Sequence, residues 1–509
     1  MSVSRRYLGS ATVLLVQSVA SKVLGLASQM VLSRSLSPVA FGAYSAAANT
    51  AAFGYMVAKL GVDTGMHVLI AEESAESLTD RRGAVMSAGL LLATTAGLTS
   101  IVVLAVAGRL IARRLFGDES LGGVLRLAGA VIALQCLTQF AYAAFAGLHR
   151  FGRFAAVTLA VAALSAPAYW VGARLGGATG AMVATVVTAA LGFVGLMISL
   201  RAMLRAEGIA LRTRGLADAA REILRVGGPL YLAGFTFVPA AFLMQGYLSR
   251  NSGVQAVGYL RVSVACTTIV SFVPTSVAGA MISTLAALRH QPDGGAERFL
   301  RFALVNAKLA GGLCLCLVPV VLPLVPAAIA ALFGRRYLPA ASTTQIGICA
   351  GVLTVISGVV MNALYAERSA HVVFGAYAAY SAVFAVVGAL CIPRLGAAGY
   401  ALGDLAGWAI ATISLLLPLA RRAARSGIAS APVAWLGVLL VAAFAIGGSL
   451  AWADAPVIVR AGAGLLASVG LLVAFVGRVL TSDERSAVLS VSQRAAGSLP
   501  ILSRLLQTS

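Results

Sequence analysis

Apolar runs about 20 residues long follow one another along nearly the whole chain, separated by short polar breaks rich in arginine. At a rise of about 1.5 Å per residue, such a run crosses a hydrocarbon core about 30 Å thick. The runs are rich in Leu, Ala and Val and show no period-two alternation, so they predict helices rather than barrel strands. The expected spans, about fourteen, are 8–32, 41–70, 84–108, 121–146, 154–173, 178–200, 228–249, 256–287, 302–330, 340–365, 371–392, 397–420, 431–452 and 457–479. Between Arg201 and Arg225 the pattern turns amphipathic. Leu216, Ala220, Ile223 and Leu224 share one face while Asp218, Arg221 and Arg225 take the other, which predicts a short helix on the inner membrane surface.

The chain also repeats itself. Leu32-Ser33-Arg34 followed by Phe41-Gly42 recurs as Leu248-Ser249-Arg250 followed by Val257-Gly258; Leu115-Phe116-Gly117 recurs as Leu332-Phe333-Gly334, and Arg174-Leu175-Gly176 as Arg394-Leu395-Gly396. The offsets are 216, 217 and 220 residues (258 − 42, 332 − 115, 394 − 174). Three matches in one order and nearly one register predict two copies of a six-helix unit. An even number of passes per copy keeps both in the same orientation, so the repeats are parallel and related by an axis along the membrane normal. The expected fold is all-α: a polytopic inner-membrane protein of about fourteen helices, with a six-helix bundle over residues 1–212, a second over 213–425, and two further helices with a cytoplasmic tail over 426–509. Duplicated halves of this kind usually enclose a transport site between them.

Composition sharpens the class. The 509 residues are 60% hydrophobic and only 11% charged, against about 25% charged in ordinary soluble domains. The net charge of +21 lies between the spans rather than on a soluble domain, so nucleic acid is not the expected partner. Basic residues gather on one set of connections, including Arg81, Arg82, Arg150, Arg153, Arg201, Arg205, Arg212 and Arg214, which places both termini in the cytoplasm. Arg5 and Arg6 precede a long apolar stretch without a small-x-small cleavage pattern, as in a retained first helix. Cys136, Cys266, Cys314, Cys316, Cys349 and Cys391 all fall within spans and read as buried small hydrophobes. His67, His149, His290 and His371 form no metal-binding spacing, no glycine loop with its lysine cradles a phosphate, and the outer loops are short. Together these predict a non-enzymatic protein without metal or cofactor.

Charges inside spans are the candidate chemistry. Ser18, Ser21, Lys22, Gly25 and Ser28, with Gln29 beside them, form a polar stripe on the first helix. A lysine at mid-membrane costs about 2.5–3.5 kcal/mol, so Lys22 either lines a wet cavity or snorkels to a partner. Lys59, Asp63 and His67 fall at i, i+4 and i+8, which suits a local ion pair as well as a substrate or proton site. Arg261 and Lys308 are the further span cations, with Arg126 the weakest because it is close to a helix end, and Asp404 is the clearest acid besides Asp63. A cavity lined by Lys22, Lys59, Arg261 and Lys308 would be net positive and suit a diphosphate headgroup, with Asp63, His67 and Asp404 as coupling candidates.

Leu36-Ser37-Pro38-Val39-Ala40-Phe41-Gly42-Ala43-Tyr44, Leu60-Gly61-Val62-Asp63 and Ile392-Pro393-Arg394-Leu395-Gly396-Ala397-Ala398-Gly399 resemble the polysaccharide-biosynthesis flippases. These form the O-antigen and exopolysaccharide branch of the multidrug/oligosaccharidyl-lipid/polysaccharide exporter superfamily. The resemblance implies transfer of an undecaprenyl-diphosphate-linked oligosaccharide across a bacterial inner membrane. It implies as partners the lipid-linked oligosaccharide, membrane lipids and the polysaccharide polymerase and export machinery. Ser21-Lys22-Val23-Leu24-Gly25 also resembles the lipid II flippases, but their further arginine and acid on that helix correspond to Ser28 and Gln29 here. The other readings are a cation-coupled multidrug or metabolite exporter, against which the acid-free first helix counts, and a membrane enzyme of polysaccharide assembly.

Overall fold

The computed structural model describes residues 3–72, 79–148, 150–212, 215–279, 295–367, 369–426, 431–481 and 484–486. Residues 280–287 of the eighth expected span, His149, His290 and the tail beyond 486 lie outside them. Among the described residues the chain is helical, with no strand. In order the helices are α1 (Val3–Ser35), α2 (Pro38–Ala58), α3 (Val62–Glu72), α4 (Thr79–Ile111), α5 (Gly122–Gly147), α6 (Phe151–Ala206), α7 (Leu216–Phe235), α8 (Val238–Ser252), α9 (Val254–Gly279), α10 (Gly295–Leu332), α11 (Ala341–Ala366), α12 (Ala370–Leu395), α13 (Ala397–Arg425), α14 (Ala431–Trp452) and α15 (Val457–Arg478).

Nine helices among the described residues are long and apolar enough to cross a membrane. One of them, α6, has 56 residues and folds back at Gly176-Gly177, so it crosses twice. Its two limbs diverge from a point where Gly172 and Gly180 meet backbone to backbone, leaving no room for a Cβ on either. With α1, α2 and α3 together, α7 and α8 together, and α9, the passes number about fourteen, and the protein is a multi-pass membrane protein.

The repeated motifs occupy equivalent local structures. Leu32-Ser33-Arg34 ends α1 and Leu248-Ser249-Arg250 ends α8. Each Leu-Phe-Gly closes a helix with glycine in the left-handed region, Gly117 at φ 75° and Gly334 at φ 103°. Arg174-Leu175-Gly176 and Arg394-Leu395-Gly396 each lead into a turn between two helices, with Gly177 and Gly396 both at φ 56°.

Two expected spans are broken. The second is interrupted at Leu60 (φ 44°) and Gly61 (φ 80°). The seventh begins earlier than hydropathy suggests: the amphipathic stretch at 216–225 is no separate surface helix but the first half of α7, which stops at Phe235 ahead of the proline-led α8. The face assignment holds, with Ile223 fully buried while Asp218 and Arg221 are exposed.

The chain forms two compact units. Unit 1 comprises Met1–Ala265, Ile329–Thr343 and Ser381–Asp404; unit 2 comprises Cys266–Ala328, Thr344–Tyr380 and Leu405–Ser509. Within unit 1, α1 lies along α6, α5 is enclosed by α2, α3, α4 and α6, and α7 packs on α3 and α4. Within unit 2, Pro319, Pro323 and Pro326 interrupt the hydrogen-bond ladder of α10. The Gln345 side chain donates to the Leu322 carbonyl (3.1 Å), which Pro326 leaves without its helical partner. Ser468 of α15 donates to the Cys316 carbonyl (2.6 Å), and Gly464 lets α15 approach the backbone at Pro319.

Candidate functional site

Polar side chains from four helices converge in unit 1. Arg261, the eighth residue of α9, is half-buried. Its Nε donates to Gln29 Oε1 of α1 (3.4 Å) and its Nη1 to Asn49 Oδ1 of α2 (3.5 Å). Both bonds are at the long end of the range, so the guanidinium is held loosely and three of its five N–H donors are left over. Among the described residues Arg261 is in no ion pair. Nearby on α2, Tyr44 lies 3.4 Å by its hydroxyl from Thr185 Oγ1 and meets the Tyr169 ring edge-on at 6.2 Å. Tyr169 and Thr185 come from the two limbs of α6, so the fold at Gly176-Gly177 is what brings them together.

Lys22 is on α1, seven residues before Gln29. Seven residues make about two turns, so both share one face about 10 Å apart along the axis. Ser18, Lys22 and Gly25 are exposed on that face, and nothing lies within 4 Å of a Cβ built on Gly25. Of the polar stripe, Ser18, Lys22 and Gly25 are thus exposed, Ser21 and Gln29 half-buried and Ser28 buried. At the start of the stripe, Gln17 Nε2 reaches Ser21 Oγ (3.3 Å) and Thr158 Oγ1 (3.2 Å), tying α1 to α6.

Lys59 and Asp63 meet as their spacing suggested, Nζ to Oδ2 at 3.2 Å, but across the break rather than along one helix. Lys59 also lies over the Tyr55 ring (5.9 Å). Its charge is thus taken up locally, ten residues along α2 from Asn49. His67 lies one turn further on α3, half-buried. Asp404 is half-buried on α13, one turn past Tyr400. Lys308 belongs to unit 2 and is 4% exposed; its Nζ donates to both oxygens of Glu484, at 2.9 and 3.1 Å. Four of the six cysteines are buried and two half-buried, all as free thiols.

Sequence reasoning singled out Lys22 and Arg261 by charge and noticed Gln29. It passed over Asn49, Tyr169 and Thr185, whose signal is a lone polar group in mid-span.

Solved structures with the same fold include a multidrug resistance MATE family transporter in an inward-facing conformation (18% identity, 80% of this chain and 95% of that chain, TM-score 0.66). The lipid II flippase MurJ in an inward closed conformation aligns at 13% identity, over 91% of this chain and 98% of that one, TM-score 0.68. A Pyrococcus furiosus transporter of the MOP superfamily, described by the reversed polarity of its binding pocket, aligns at 18% identity over 82% and 95%, TM-score 0.56. At these identities the likeness is one of fold, a polytopic transporter fold shared by exporters and a flippase. No curated protein matches the chain significantly by sequence. The model of one family matches residues 31–342, more than half of the chain, and by that match the chain belongs to the polysaccharide biosynthesis protein family.

Proposed function

We propose that the protein is a flippase moving undecaprenyl-diphosphate-linked oligosaccharide repeat units from the inner to the outer leaflet of a bacterial cytoplasmic membrane, for surface polysaccharide such as O-antigen or exopolysaccharide. The observation that carries this is Arg261: a guanidinium at membrane depth whose contacts are two neutral amides, one of them on a helix face that also bears Lys22. A half-buried cation without a carboxylate calls for an anionic visitor, and a guanidinium fork matches phosphate oxygens in geometry as well as charge. Gln29, Asn49, Tyr44 and Tyr169 supply the donors and acceptors that sugar hydroxyls need. The prenyl chain stays in lipid, since no polar wall could replace its solvent.

The halves 1–212 and 213–425 act as the two rocking repeats of alternating access, with both termini in the cytoplasm. Lys59, Asp63, His67 and Asp404 are the candidates for coupling, and polymerase and export machinery are the partners on either side of the step. Deletion of the gene tests the proposal: surface polysaccharide disappears while lipid-linked repeat units accumulate in the inner leaflet. Normal polysaccharide together with altered resistance to cationic compounds would instead favour an exporter.

A further inference from the structure

We infer that Arg34 and Arg250 form a pair of reciprocal clasps that lock one face of unit 1 and release together during transport. Each repeat's Leu-Ser-Arg motif grips the other repeat's Leu-Phe-Gly motif. Arg34, at the end of α1, donates from Nε to the Leu332 carbonyl (3.1 Å) and from Nη2 to the Ala331 carbonyl, in the last turn of α10. Arg336 returns a bond to the Arg34 carbonyl. Across the pseudo-twofold, Arg250 donates from Nη1 to the Arg114 carbonyl and Ser249 from Oγ to the Phe116 carbonyl, both at 3.0 Å, in the wide turn that ends α4.

The two clasps correspond in their arginines and differ at the serine, since Ser33 donates to the Met30 carbonyl of its own helix (2.9 Å) where Ser249 reaches across to Phe116. Leu32 and Leu248 are both fully buried, and Ser33 and Ser249 are 0% and 4% exposed. The four chain ends lie at the connections α1–α2, α4–α5, α8–α9 and α10–α11, which alternating passes put on one membrane side. The acceptors are helix-terminal carbonyls, which have no intrahelical partner and favour a cation. Because they are neutral and the arginines exposed, each bond is worth little alone and can be broken without stranding a buried charge. Both clasps join the same two sequence repeats, so a movement of one repeat away from the other strains both at once. The inference rests on the transporter fold, which flippase and exporter share, and holds for either cargo.

The test places a cysteine in one clasp and breaks the other. Full-length protein in nanodiscs carries Ser33→Cys with Arg250→Ala, or Ser249→Cys with Arg34→Ala, and reacts with a membrane-impermeant maleimide. The parent with its six native cysteines sets the background. Breaking the distant clasp should speed labelling of the intact one about tenfold or more, a shift of about 1.4 kcal/mol in its opening. Labelling that rises only beside the mutated arginine, as in Ser33→Cys with Arg34→Ala, would leave two independent caps and overturn the inference, as would unchanged labelling throughout. Arg34→Gln and Arg250→Gln replace the alanine variants if those fail to fold.

Discussion

Gly42 and Gly258 hold the same place in the two repeats and touch in the fold. A Cβ on Gly42 would overlap the Val254 carbonyl oxygen, and one on Gly258 would stand 3.1 Å from both the Gly42 amide nitrogen and the Pro38 carbonyl oxygen. Helices α2 and α9 thus cross backbone to backbone at the point where the sequence copies correspond, as small-residue crossings in membranes do. Gly42→Ala should cost about 1–3 kcal/mol, because a carbonyl in a helix cannot move aside as a side-chain tip can. Gly470→Ala, with nothing within 4 Å of the added methyl, should leave stability equal or slightly higher. Thermal unfolding of the detergent-solubilised proteins separates the two.

This contact explains why the repeat was visible in the sequence while much of the site was not. Short motifs such as Leu32-Ser33-Arg34 and Leu115-Phe116-Gly117 mark helix ends in both copies, where a left-handed glycine closes one helix and an arginine from the other repeat meets its last carbonyls. The spans were visible because length and apolarity are additive along the chain. The break at Leu60-Gly61 escaped, since hydropathy registers no backbone angle and leucine ordinarily continues a helix. The start of α7 escaped for a related reason: an amphipathic stretch and an apolar one look like two elements when nothing marks their junction. Lys22 and Arg261 stood out as isolated charges, but the amides that hold Arg261 come from 232 and 212 residues away. No local pattern encodes such a pairing.

Arg261→Gln should reduce surface polysaccharide about ten- to hundredfold at unchanged protein level, the equivalent of losing charge-assisted bonds worth about 1.5–3 kcal/mol. Arg261→Lys keeps the charge but not the fork, so it should fall between wild type and Gln. Lys22→Ala should impair export in the same direction. Complementation of a deletion strain, with immunoblotting for the protein, reads all three, and full export by Arg261→Gln would remove that residue from the site.

Lys308 and Glu484 make a different prediction, because their charges satisfy each other. The ammonium is 4% exposed and the carboxylate arrives from beyond α15, where Thr481 and Glu484 cap one another's backbone amides. Glu484→Gln or Lys308→Gln alone strands a buried charge and should cost about 3–5 kcal/mol. The double variant strands none and should recover most of that loss. Unfolding midpoints of the four proteins form the cycle; additive losses would show that the pair does not interact.

The break between α2 and α3 tests whether an irregular backbone at membrane depth is specifically supported. Ending α2 at Ala58 frees the Met56 carbonyl, and the Tyr231 hydroxyl of α7 donates to it at 2.6 Å. Gly61, at φ 80°, has the Gly227 backbone of the same helix directly against it. Gly61→Ala therefore meets two obstacles, a left-handed conformation and a carbonyl in the way, and should cost about 2 kcal/mol or more. Tyr231→Phe leaves an acceptor unsatisfied away from water and should cost about 1–3 kcal/mol. Leu60→Gly, by contrast, relieves a leucine held at φ 44° while adding freedom to the unfolded chain, and the two effects, each about 1 kcal/mol, should nearly cancel. Thermal unfolding should rank the variants in that order, and a Leu60→Gly protein as unstable as Gly61→Ala would mean that the leucine side chain, not the backbone turn, holds the break in place.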